Sequence, residues 1–174
     1  MKIPIYQVDA FTSQIFHGNP AAVCPLDEWL PDDIMQKIAM ENNLSETAFF
    51  IESNNKIDIR WFTPKAELDL AGHPTLATAH VILKELNKKI DNLVFETKLG
   101  DTLKVTIEND LYLMDFPSRP PKTVNYNNVI YETLGKRPIE TLAFRDLIVV
   151  YANQRDITSI NPDLEKIKKI DYPS

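Results

Sequence analysis

Two acid/base side chains stand out along the chain: Glu46 in Leu44-Ser45-Glu46-Thr47-Ala48-Phe49, and His73 in Ala71-Gly72-His73-Pro74-Thr75. Glu46 falls where a helical pattern gives way to a strand, close to Ala48, Phe49 and Phe50. Apolar surroundings favour the neutral form of a carboxyl group and bring its proton exchange toward neutral pH, where acid/base chemistry works best. Read structurally instead, Ser45 is a cap or turn residue and Glu46 an ordinary strand residue facing water. His73 directly precedes an apolar helical stretch. It is either the cap of that helix or a neutral imidazole at the positive end of the helix dipole, able to donate a hydrogen bond or shuttle a proton. Free backbone N–H groups at such a helix start suit a substrate carboxylate, and Gly72 permits close approach. Ser45, Gly72 and Asn19 are therefore the candidate substrate contacts, although Asn19 in Gly18-Asn19-Pro20 serves equally as a turn residue.

The remaining reactive residues read as structural. His80 lies inside the apolar helix and fits a buried core histidine. His17 flanks a turn, Asp9 belongs to the first strand, and Cys24 in Ala21-Ala22-Val23-Cys24 is expected as a core thiol. His73 and His80 stand seven apart with no HExxH-like arrangement, so no metal site is expected. No GxGxxG, P-loop or GxSxG segment occurs, which leaves nucleotide and serine-hydrolase readings without support. With 19 Lys and Arg against 25 Asp and Glu, the formal net charge is -6. That balance gives no support to nucleic-acid binding. A single cysteine excludes an intrachain disulfide. No signal-like segment and no apolar run of membrane-spanning length is present, so a cytoplasmic protein without a membrane partner is expected.

The elements that must position these residues follow from local pattern. Ile3–Phe11 reads as a strand, and a second strand follows the Gly18-Asn19-Pro20 turn. Pro31-Asp32-Asp33 opens a helix, with proline early and acids in the first turn, that ends at Asn42-Asn43. Glu46–Glu52 and Ile57–Thr63 form a strand pair joined by Ser53-Asn54-Asn55-Lys56. Pro74–Leu86 is apolar on nearly every face until Lys84, so it is expected to be a central, buried helix wrapped by sheet. Strands follow at Leu93–Thr97, Thr102–Glu108 and Leu111–Phe116. Three prolines within 117–121 mark a boundary between a domain over 1–117 and a linker with an incomplete second domain over 118–174. There the pattern predicts a helix over Asn127–Leu134, a strand over Thr141–Tyr151 and a helix over Pro162–Lys169. The fold class is α+β.

Taken together, these segments resemble the PhzF-like (phenazine-biosynthesis-like) isomerase family. The resemblance rests on Gln7-Val8-Asp9-Ala10-Phe11, Gly18-Asn19-Pro20-Ala21-Ala22-Val23, Leu44–Phe49, Arg60-Trp61-Phe62-Thr63-Pro64 and Leu70–Ala77 in order, with Asp115-Phe116-Pro117 closing the first domain. It implies a diaminopimelate-epimerase-like fold of two similar domains, each a β-barrel around a central helix. It also implies a cofactor-independent isomerase that moves a proton on a small anionic metabolite. The glutamate of the Ser-Glu-Thr motif, here Glu46, transfers the proton, and Gly72 and His73 help line the site. Family members carry a further Asp-Pro-x-x-Gly-Ser-like motif in a second barrel, and this sequence contains none. Two alternatives stay open: a truncated, non-catalytic homologue acting as a binding or interaction module, and half of a two-chain enzyme. A homodimer, or a chain supplying the second half, is the corresponding partner.

Overall fold

Asn43 adopts a left-handed backbone (φ 51°), which ends one helix and aims the chain straight into the strand that begins at Glu46. The computed structural model describes residues 2–53, 56–86, 89–109 and 111–170. The chain divides into two compact units, Met1–Pro117 and Ser118–Ser174. In the first, β1 (Tyr6–Ala10) returns as β2 (Asn19–Leu26), and helix α1 (Asp32–Asn42) leads to the neighbouring strands β3 (Glu46–Ser53) and β4 (Lys56–Phe62). The short strand β5 (Glu67–Leu68) precedes helix α2 (Gly72–His80), which runs on into a π-helical turn, Val81–Glu85. Strands β6 (Asn92–Thr97), β7 (Thr102–Glu108) and β8 (Leu111–Asp115) complete the unit.

One curled sheet results, in the order β1-β2-β3-β4-β6-β7-β8, with β5 also paired to β4. Pairs β2–β3 and β4–β6 are parallel, and the remaining neighbours are antiparallel. The sheet wraps α2. Ala77, Ala79, Val81 and Ile82 of the central helix pack with Val23, Phe50, Ile59, Trp61, Phe95, Leu103 and Val105 of the strands in one buried cluster. A second cluster, Cys24, Met35, Ala39, Phe49 and Phe62, fills the space under α1. Strands β2, β3 and β4 are thus covered on both faces, which explains their near-continuous apolar runs. Two buried hydroxyls on α2 are satisfied locally: Thr75 Oγ1 donates to Ala71 O (2.6 Å) and Thr78 Oγ1 to Pro74 O (2.7 Å). The α+β class and the sheet around a central helix stand as the architecture of this unit.

Several boundaries differ from the sequence pattern. The first strand is shorter than Ile3–Phe11, because Pro4 has no N–H to donate and Phe11 turns away with φ 66°. The central helix starts two residues earlier than Pro74 and ends in a π turn, where Leu86 N donates to Val81 O (2.9 Å). Leu76 and His80 on it are half-buried rather than enclosed. Asn54, Asn55 and Asp110, which the pattern placed in turns, lie outside the described residues.

In the second unit, β9 (Lys122–Thr123), α3 (Asn127–Leu134), β10 (Glu140–Ala143) and β11 (Leu147–Val150) give a three-stranded sheet in the order β11-β10-β9. Gly135 caps α3 with φ 73°. The single strand expected over Thr141–Tyr151 is a hairpin: Phe144 N donates to Asp146 O (3.3 Å) and the chain reverses there. Two short helices follow, α4 (Gln154–Thr158) and α5 (Leu164–Ile167), the second much shorter than Pro162–Lys169. No described helix is long and apolar enough to cross a membrane.

Candidate active site

The parallel β2–β3 pair sets Asn19 and Glu46 at the same rim of the sheet, since Ala21 is the register partner of Glu46. Glu46 is the first residue of β3, one position beyond the Thr47–Phe62 pair, so its side chain stands at a strand mouth. The start of α2 comes to the same rim. His73 Nε2 lies 3.0 Å from Glu46 Oε2 and 3.3 Å from Ser45 Oγ. Ser45 Oγ in turn lies 2.9 Å from Pro20 O and 3.0 Å from Asn19 Oδ1.

This chain of contacts orders the protons. The Pro20 carbonyl can only accept, so the Ser45 hydroxyl hydrogen is committed toward it or toward Asn19 Oδ1. Ser45 Oγ then presents lone pairs to His73, which places the ring hydrogen on Nε2, the nitrogen facing Glu46. The 3.0 Å approach to Glu46 is a close contact without hydrogen-bond alignment: Oε2 is buried and accepts no aligned hydrogen bond. A buried carboxylate oxygen without an aligned partner has acceptor capacity left over. The side chains of His73 and Glu46 are 9% and 17% exposed. The pair is therefore shielded from bulk water while Ser45 beside it is exposed.

His73 does not cap its helix. The cap position is Ala71, which offers no side-chain acceptor, and His73 is the second residue of α2. Gly72 is exposed, and a Cβ built on it would meet nothing within 4 Å, so the helix start opens onto free space. All five candidates, Asn19, Ser45, Glu46, Gly72 and His73, thus converge on one rim. The other histidines stand apart. His17 Nδ1 lies 3.0 Å from Ile15 O. His80 Nδ1 lies 3.1 Å from Tyr112 Oη, beside a cavity of about 470 Å³ lined by Val8, Asp9, Leu76, Leu111 and Tyr112. Burial pushes the Cys24 thiol up to about 12, as befits a core side chain. Among the described residues no group of three or more His, Cys, Asp or Glu side chains could hold a metal ion.

Sequence pattern missed the Pro20 carbonyl, whose role depends on the strand register, and the partners of Arg60. Arg60 is buried in β4, yet it donates to Glu67 through Nε (2.6 Å) and Nη2 (2.8 Å) and to Asp32 through Nη1 (2.9 Å). The only signal was its place in the Arg-Trp-Phe-Thr-Pro segment.

Known proteins bear on this geometry. Residues 8–174 match the family described as "Phenazine biosynthesis-like protein". An uncharacterised isomerase of Pseudomonas aeruginosa is 45% identical over 168 residues, covering 97% of this chain and 64% of that protein. The crystal structure of a PhzF-family phenazine biosynthesis protein from Enterococcus faecalis superposes with a TM-score of 0.87 at 41% identity, over 98% of this chain and 65% of the other. A predicted epimerase from Pseudomonas aeruginosa, 19% identical with a TM-score of 0.71, shares the fold. The chain thus spans just under two thirds of the first of these relatives. On sequence and structure alike, this chain belongs to the phenazine biosynthesis-like protein family.

Proposed function

We propose that this rim serves an isomerase reaction in which Glu46 moves a proton between two carbons of a small anionic substrate. The carboxylate of Glu46 takes a proton from a carbon next to a carbonyl or carboxylate. The electron pair of that C–H bond passes into the neighbouring π system, giving an enol or enolate. Glu46 then returns the proton to a second carbon, so substrate and product have the same composition. No step calls for a metal, nucleotide or organic cofactor. His73 assists from Nε2, its orientation fixed by Ser45, which is itself tied to Pro20 and Asn19. The uncapped N–H groups at Gly72 and His73 favour the substrate's negative charge. Asn19 and Ser45 complete the polar side of the rim.

The observation that carries this reading is the 3.0 Å approach of His73 Nε2 to a shielded Glu46 Oε2 that accepts no aligned hydrogen bond. The family's isomerase members support the reaction class. The test is Glu46→Gln, which keeps shape and removes the base, assayed by deuterium uptake from D2O into the substrate carbon in a full-length protein of this family carrying these residues. A loss of about 100-fold or more is expected for removing a positioned acid/base group. Exchange that stays within a few-fold of the parent would show that Glu46 does not carry the proton.

A further inference from the structure

Arg60 stands on the face of β4 opposite the central helix, as its strand neighbours Ile59 and Trp61 belong to the core around α2. It is 8% exposed and lies between Trp29 and Phe62, with the guanidinium carbon 5.4 Å and 5.2 Å from their ring centroids. Its two parallel hydrogen bonds to Glu67 form a charged fork, the geometry in which a guanidinium fixes a carboxylate in position as well as in distance. Lys98 Nζ holds the same carboxylate from β6's end of the sheet, at 2.8 Å.

What the fork holds is the segment that delivers His73. Glu67 belongs to β5, which has only two residues, with the register Trp61–Leu68 and Phe62–Glu67. Four residues after Leu68, at Gly72, α2 has begun. Ala71 moves with the helix, because its carbonyl accepts from Thr75 Oγ1. No side chain caps the helix start. The strand bearing Arg60 is also the hydrogen-bonded neighbour of the strand bearing Glu46, through the Phe49–Arg60 and Thr47–Phe62 pairs. Arg60 therefore links the lead-in to His73 directly to the frame that holds Glu46.

We infer that Arg60, acting through Glu67, is a positioning residue that sets His73 Nε2 against Glu46. The inference rests on the reading of Glu46 and His73 as the proton-transferring pair. Displacing β5 shifts the first turn of α2 along the rim and opens the 3.0 Å contact without unfolding the sheet.

The experiment follows the ring nitrogens of His73 by NMR in the ¹⁵N-histidine-labelled 174-residue chain, with His17 and His80 as internal references. Coupling is read as the change in the His73 Nε2 chemical shift caused by Glu46→Gln at one fixed pH, measured in the parent and again with Glu67→Gln present. The expected result is a clear coupling in the parent that falls to less than half with Glu67→Gln, and an intermediate value with Arg60→Lys, which keeps charge and loses the fork. If Glu67→Gln does not fold, the Arg60→Lys comparison decides. Undiminished coupling alongside a lowered thermal midpoint would make Arg60 a plain structural brace and overturn the inference. If Glu46→Gln leaves His73 unmoved in the parent, the pair itself is wrong, a failure visible before Arg60 or Glu67 is touched.

Discussion

Three glycines in the first unit separate backbone strain from backbone crowding, and alanine at each gives a graded prediction. Gly18 has φ +82°, and a Cβ built there would lie 2.4 Å from Ala10 O and 2.7 Å from Thr12 Cγ2. Gly100 has a similar φ of +87° with nothing within 4 Å, and Gly72 has neither strain nor neighbours. Holding an L-residue in the left-handed region costs about 1–2 kcal/mol. The stiffer unfolded chain returns about 0.4–1 kcal/mol. Gly100→Ala should thus lose roughly 1 kcal/mol by these terms. Gly18→Ala adds the displacement of the β1 end, and overpacking typically costs about 1–3 kcal/mol, for a total near 2–4 kcal/mol. Gly72→Ala should be neutral or gain about 0.4–1 kcal/mol. Urea titrations followed by far-UV circular dichroism measure all three, with midpoint shifts compared at constant slope. If Gly18→Ala costs no more than Gly100→Ala, the close approach to Ala10 and Thr12 is not what demands glycine.

Cys24, its pKa raised to about 12 by burial, should resist a chromogenic disulfide reagent at pH 8 in the native protein and react fully once denaturant unfolds the chain. Glu67 is pushed up by burial, but the Arg60 and Lys98 hydrogen bonds outweigh this and hold its carboxyl below the usual range. A depressed folded-state value means stability that is present above the unfolded pKa and lost as pH falls through the folded one. Between about pH 5 and 3, thermal midpoints of the parent should therefore fall more steeply than those of Glu67→Gln. Tyr112→Phe removes the hydroxyl 3.1 Å from His80 Nδ1 and should cost about 1 kcal/mol in the same urea assay, leaving the edge-on ring contact in place.

Much of this molecule could be read from local signals. Asp32 and Asp33 announced α1, and the small and apolar residues of α2 announced a buried helix. The run from Glu46 to Glu52 announced a strand, but its cover on both faces emerged only from the packing of α1 and α2. Five site residues lay in segments whose order along the chain carried the family resemblance. What escaped was nonlocal or conformational. The charges of Asp32, Arg60 and Glu67 are visible in the sequence, but partners 28 and 7 residues apart become partners only through sheet register. Phe144-Arg145-Asp146 turns without glycine or proline, so a hairpin passed for one strand. The π turn at Val81–Glu85 keeps the same apolar pattern as an α-helix. Asn153, whose side chain accepts from Asp156 N, was a legible cap for α4 that the apolar pattern concealed.

The contacts at the rim join residues far apart in the chain: Ser45 meets Asn19 across 26 positions and His73 across 28. Closing such loops costs entropy that neighbouring contacts must recover first, so these bonds depend on prior formation of the sheet. During synthesis, Asn19 and Glu46 leave the ribosome well before His73 does. The proton-handling pair therefore cannot exist on a nascent chain until α2 has emerged and seated itself against strands already in register, which makes its assembly a late event in the folding of this unit.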